Sequence, residues 1–147
     1  MSGDGGDTYL VEDCIFCKII RGEIPSFKVF EDDRTFAFMD INPLNEGHAL
    51  VIPKFHSKNL YETPDEWFGP VMSTVRRVAT AVEKIVQPEG LNLLQANGPG
   101  AAQSVFHLHM HIIPRGADDG ATMNWGMVPG DMDAIGELAK KIAAAIE

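Results

Sequence analysis

Along most of the chain short apolar runs alternate with turn-forming clusters, and only two long stretches repeat their apolar residues at helical spacing. "FKVFED" and "RTFAFMD", separated by a tight acidic turn, read as the two strands of a hairpin. After the turn-forming "NPLNEG", "HALVIP" reads as a third strand whose odd and even positions separate. Thr63 with Glu66 forms a capping-box pattern, Pro64 stands at the first helical position, and Val71, Val75, Val78, Val82 and Ile85 recur at helical spacing. They predict the main helix, ending near Gln87 before Pro88 and Gly90, with Pro70 either kinking it or delaying its regular part. "LNLLQAN" is a fourth strand and "FHLHMHIIP" a fifth; Ile135, Leu138, Ile142 and Ile146 then mark an amphipathic C-terminal helix after Asp131. "CIFCKIIRGEIP" reads as a short helical turn closed by Gly22 and Pro25. Hairpins with a single long helix before the fifth strand predict an α+β fold: a mainly antiparallel five-stranded sheet, one long central helix and a C-terminal helix.

The fifth strand raises the question of function. In "HLHMHIIPR" three imidazoles occupy alternate positions, so His107, His109 and His111 line one face of a strand while Phe106, Leu108, Met110 and Ile112 line the other. Three histidines on one face are costly to bury without a task, because each has two ring nitrogens to satisfy. Either a chelating metal centre or a nucleophilic imidazole supported by its neighbours accounts for them. A three-histidine zinc centre is the weaker reading, since no carboxylate follows His111 closely and Asp118 and Asp119 lie beyond a turn. A neutral imidazole can instead attack phosphorus and form a covalent phosphoramidate, with the middle histidine best placed and His111 donating to a phosphate oxygen or assisting the leaving group. Just upstream, "NGPGAAQSV" places a Gly-containing loop with Gln103 and Ser104 where an anion could be met.

Length and composition restrict the alternatives. The 147 residues suffice for one domain, with residues 1–13 expected as a flexible, polar lead-in and 14–147 as a single domain. A hydrophobic content of 45% and a charged content of 22% are those of an ordinary globular protein. The net charge of −9 argues against gripping a nucleic-acid backbone. No stretch approaches the roughly 18 apolar residues of a membrane span, and the start lacks a signal-peptide pattern, so no membrane and a cytoplasmic location are expected. In that compartment the thiols of "CIFC" are either free and buried or two ligands of a zinc tetrahedron completed by His48 and His107. His56 receives no chemistry on this reading, and Trp67 and Trp125 are assigned to core or interface.

"HLHMHII" resembles the motif of the histidine triad superfamily, and "CIFCKIIRGEIPSFKVFEDDRTFAFMDINPLNEGHALVIPKFH" and "NGPGAAQSVFHLHMHIIPR" resemble its nucleotide-binding, purine nucleoside phosphoramidase branch. The resemblance implies a homodimer with continuous sheets, a purine nucleotide substrate and hydrolysis of nucleoside phosphoramidates without a catalytic metal. It implies His109 as the nucleophile, His107 and His111 as the flanking triad members, and His48 as a fourth active-site histidine. Ser104 and Gln103 match residues at the phosphate and leaving group, Asn97 a residue near the phosphate, and Asp40 the carboxylate that holds the ribose. Phe38 and Ile41 match the apolar flanks of the base. A structural zinc on Cys14, Cys17, His48 and His107 is likewise implied. The tail departs from the branch, because "MNWGMVPG" comes late and is followed by an extra helix, Asp131 to Glu147; Trp125 matches the tail Trp that contacts the partner's site. Two competing functions remain: hydrolysis of dinucleoside polyphosphates by the same chemistry, and a nucleotide-binding interaction protein without turnover.

Overall fold

The computed structural model describes residues 9–122 and 126–147, so the expectation for Trp125 lies outside the described residues. Five strands, β1 (Lys28–Glu31), β2 (Thr35–Met39), β3 (Ala49–Pro53), β4 (Gly90–Leu94) and β5 (Met110–Arg115), form one antiparallel sheet in the order β1-β2-β3-β5-β4. Helix α1 (Ile15–Ile20) precedes the sheet, α2 (Phe68–Val86) connects β3 to β4, and α3 (Met132–Ala145) ends the chain. The expected α+β architecture is therefore present.

Both faces of the central strands are covered, and the period-2 alternation assigns each residue to a face. Phe36 and Phe38 of β2 with Leu50 and Ile52 of β3 pack on the α1 turn, where Phe16, Cys17 and Ile19 are buried. Ala37, Ala49 and Val51 face the other way, against Val71, Val75 and Val78 of α2 and Ile112 of β5. Small residues on that side let the long helix approach closely; aromatic rings fill the side that carries the chemistry.

The start of α2 differs from the capping-box expectation. Thr63 is buried, its hydroxyl donating to Asn59 O (2.7 Å) and pairing with Ser57 Oγ (2.6 Å), so it serves the preceding turn instead. A 3₁₀ turn, Asp65–Trp67, intervenes, and regular helix begins at Phe68. Pro70 thus falls in the first helical turn, where its missing N–H is one that no helix satisfies internally, and the regular helix starts later than the capping pattern predicts. Gln87 closes α2 in the left-handed conformation (φ 53°).

At the other end of the chain α3 forms as expected, with Asp131 accepting from Ala134 N–H (3.0 Å). The expected lead-in is anchored from Tyr9: its ring packs on Phe55 and Trp67, and its carbonyl accepts from His56 N–H (2.7 Å).

Gly47, before β3, has φ +92°, and an added Cβ would lie 2.9 Å from Val86 Cγ2 and 3.1 Å from Pro114 Cγ. Both the left-handed backbone and the contact oppose a side chain. Gly47→Ala is expected to cost about 2 kcal/mol or more, read as a lowered urea midpoint at unchanged m-value.

Candidate active site

The expected strand from Phe106 to Pro114 is shorter in the structure, and this divides the three histidines. Regular pairing begins at Met110, and residues 107–109 run alongside the loop after β3, where Leu108 N–H donates to Ser57 O (2.8 Å). Phe106 is half exposed rather than core, whereas Leu108 and Ile112 are buried as expected. Only His111 lies within the strand, opposite Leu50 of β3 and Leu94 of β4.

Hydrogen bonds fix the tautomer of each ring. His107 Nε2 lies 3.0 Å from Pro53 O, and a carbonyl can only accept, so Nε2 carries the proton and Nδ1 presents a lone pair. His109 Nδ1 lies 2.7 Å from His107 O, so Nδ1–H donates and the Nε2 lone pair is free. His48 Nδ1 accepts from Leu44 N–H (2.9 Å), so its Nε2–H donates to His111 Nδ1 (2.9 Å) with Asp40 Oδ2 at 3.4 Å. His111 therefore carries its own proton on Nε2. Neighbouring rings thus present complementary groups: His109 a lone pair and His111, with ring centroids 4.9 Å apart, an N–H donor.

Burial disfavours the charged form of His109, His111 and His48. Burial holds His109 below the ordinary imidazole value, partly offset by the hydrogen bond to His107 O. Burial, then the neighbouring His109 and His48, pushes His111 down to about 4. Burial also lowers His48, against the raising effect of Asp40. The T-shaped Phe16 ring, 5.2 Å from His109, supplies part of that apolar surround.

A pH dependence follows with a definite sign. Between the ordinary imidazole value of about 6.5 and about 4 the unfolded chain binds a proton that folded His111 refuses. Stability therefore falls as pH falls through that window, and this contribution is constant above it, where both states are neutral. Thermal midpoints measured from pH 8 to 4 should show this slope, and His111→Asn should reduce it.

The cysteine pair has a different partner from the one expected. Cys14, Cys17, His56 and His107 each place one donor atom within 4.8 Å of all the others, and His48 belongs with Asp40 and His111 instead. This corrects the expected ligand set: His56 replaces His48, because His48 immediately precedes β3 and meets His111 across the sheet, whereas His56 follows the strand's far end. His107 Nδ1 lies 3.4 Å from Cys14 Sγ and 3.6 Å from Cys17 Sγ, and His56 Nδ1 lies 3.6 Å from Cys17 Sγ. Ligands at Zn–S and Zn–N bond lengths around a tetrahedron stand about 3.5 Å apart, and these three separations match that spacing. Pro53 O, accepting from His107 Nε2–H, is the outer partner that fixes a metal-binding imidazole. The hydrogen bond from the Cys17 thiol lowers Cys14, while Cys17 is raised by that same bond to Cys14 and by burial. A centre made of the three triad histidines is incompatible with these bonds, since His107 Nδ1 faces the thiols and His109 Nδ1 a carbonyl.

The remaining predicted residues hold the rim. Gln103 is buried, accepting from Gly98 N–H (2.8 Å) and donating to Lys58 O (2.6 Å) and Val105 O (3.0 Å), so it shapes the 98–105 loop. Asn97 Oδ1 accepts from Leu60 N–H (2.8 Å) and ties that loop to the turn after β3. Ser104 is exposed at the loop's end. Phe38 is buried among the aromatic rings, and Ile41 is 76% exposed beside them in sequence. Asp40 Oδ1 accepts from Asn42 N–H (2.8 Å), and its other oxygen faces His48.

Residues 21–118 match the HIT domain. The chain belongs to the HIT domain family. Among its relatives, adenosine 5'-monophosphoramidase HNT1 of Saccharomyces cerevisiae is 44% identical over 135 residues, 91% of this chain and 83% of that one. A crystal structure of a HIT family member from Bacillus subtilis superimposes with a TM-score of 0.87 at 44% identity, over 92% of this chain and 99% of that one. A Zn-bound histidine triad family protein from Mycobacterium smegmatis does so with a TM-score of 0.71 at 32% identity, over 90% of this HIT chain and 97% of that one.

Proposed function

We propose that this HIT domain chain is a nucleotide hydrolase that cleaves AMP-type phosphoramidates, or related nucleotidyl bonds, through a covalent nucleotidyl-His109 intermediate. The observation that carries the reading is the His109 Nδ1–H bond to His107 O, which leaves a neutral Nε2 lone pair fixed beside an N–H donor. In the first step Nε2 bonds to phosphorus as the bond to the leaving nitrogen breaks, and that nitrogen takes a proton from water at the rim through Ser104, which is exposed there, leaving a hydroxide. The Nε2–H of His111 donates to a phosphoryl oxygen, kept aimed by His48. A second water then attacks phosphorus, the P–Nε2 bond breaks and restores the lone pair, the nucleoside monophosphate leaves, and the proton shed by the attacking water neutralises the hydroxide.

Asp40 is assigned to the ribose hydroxyls, Phe38 and Ile41 to the base, and Asn97 and Gln103 to holding the loop at the phosphate. The Cys14, Cys17, His56 and His107 set is assigned to one structural zinc, whose chemistry is to cross-link the α1 turn to the residue that orients the nucleophile. Four protein donors leave no open coordination position, the mark of a structural site. Support for the phosphoramidate reading comes from the yeast relative's name, and for zinc from the Mycobacterium structure's. A homodimer is proposed with it: β4 is an edge strand with Leu93 and Leu94 exposed, and an open edge of this kind invites pairing. Among the described residues no helix is long and apolar enough to cross a membrane.

Steady-state turnover of adenosine 5'-phosphoramidate against a diadenosine polyphosphate tests the substrate class. Faster turnover of the phosphoramidate is expected. Preference for the polyphosphate would reassign the substrate, and nucleotide binding with neither turned over would leave a binding protein.

A further inference from the structure

Helix α3 presents an apolar stripe that its own chain leaves uncovered. Met132, Ile135, Leu138, Ile142 and Ile146 are each at least half exposed, and no residue of the helix is buried. A 14-residue helix lies near the length at which an isolated helix is marginal in water, so a stripe of this kind is the face of a packed helix without its partner. Elsewhere on the same chain is an apolar groove of about 310 Å³ between α2 and the β1–β2 side of the sheet, lined by Phe30, Met39, Val78, Val82 and Ile85 with Arg77. Ile85 is 84% exposed at its edge. None of the residues lining it belongs to α3.

We propose that α3 of one copy docks in this groove of a second copy, and reciprocally. Charge favours this occupant. On a chain of net charge −9, α2 is locally basic, with Arg76, Arg77 and Lys84 against Glu83 alone, while the first half of the C-terminal segment carries Asp131, Asp133 and Glu137. The N-terminal half of α3 therefore lies toward Arg77, and Lys140 and Lys141 follow toward Glu83. Reciprocity favours it as well: each copy carries one stripe and one groove, so a two-fold exchange covers both kinds of apolar surface and leaves no unfilled site for a third copy. This clasp is independent of the chemistry at His109 and adds to any pairing through β4.

The test places a photoreactive benzoylphenylalanine at position 138 of the full-length chain and maps the products by size and peptide mass. The expected product has twice the chain mass and joins residue 138 to the 77–86 segment. Its yield should drop roughly tenfold or more in Ile85→Glu, which removes an exposed apolar anchor while circular dichroism reports an unchanged fold. A product of single-chain mass would assign α3 to its own groove and overturn the proposal. Cross-links of double mass to any other segment, or none at all, would overturn it equally.

Discussion

His109→Ala is expected to lower kcat/KM for an adenosine phosphoramidate by roughly 10³-fold or more while the protein remains folded. The size of the effect follows from the uniqueness of the lone pair. His107 directs its Nδ1 toward the thiols and His111 uses its Nδ1 to accept from His48, so neither ring can substitute for the Nε2 of His109. The structural cost is small by comparison. Removing the ring forfeits one hydrogen bond to His107 O and some apolar contact with Phe16, about 1 to 3 kcal/mol together. Measuring turnover alongside the thermal midpoint separates the two. A variant that keeps its rate would remove the nucleophile from the account, and one that unfolds would be replaced by His109→Asn, which retains polarity and part of the volume.

His56→Ala is expected to lose its metal, and His48→Ala to retain it. Native protein purified without chelator should carry about one zinc per chain. With His56 or Cys17 replaced, the donor set falls to three and the thermal midpoint should drop by about 10 °C or more: a structural zinc is worth several kcal/mol, and for a chain of this size each kcal/mol moves the midpoint by roughly 3 °C. His48→Ala should show the opposite division. It leaves His111 without the donor that fixes its tautomer, so turnover falls while metal content stays near one. Zinc lost from the His48 variant and kept in the His56 variant would reverse the assignment made from the distances.

Those two histidines also show what the sequence could and could not disclose. The strands, the long helix and the opposing faces of β3 were legible because alternation and helical spacing depend only on local order. The histidine motif was legible as chemistry because three polar rings at alternate positions have no bland use. The partner of the cysteines was not, because it depends on antiparallel register. Ala49 pairs with Ile112 and Val51 with Met110, and extending that register brings Lys54 level with His107 and carries His48 the other way, beyond His111. His56, two residues past Lys54, therefore arrives at the thiols. "PKFH" directly after a strand was the available signal, and only the pairing gives it meaning.

The strand limit was misjudged for a related reason. Alternation alone extends β5 back to Phe106, but His107 and His109 spend their ring protons on the Pro53 and His107 carbonyls, and the chain there follows the 57–62 turn rather than a strand. The three imidazoles of the motif are thus placed differently: His107 with the thiols, His109 with a free Nε2 lone pair, and His111 with an Nε2–H donor. Thr63 illustrates the same limit at a helix end, since its hydroxyl had a tertiary partner in Ser57 that no capping rule contains.

The central claim is the bond to His109, and mass spectrometry reads it directly. Intact protein is mixed briefly with adenosine 5'-phosphoramidate and quenched, with His109→Ala treated identically. The account predicts an added adenylyl group on the native chain alone, located on His109 by peptide mapping, with AMP accumulating afterwards. AMP released at full rate from the His109→Ala chain, or an adduct mapped to any other residue, would contradict it.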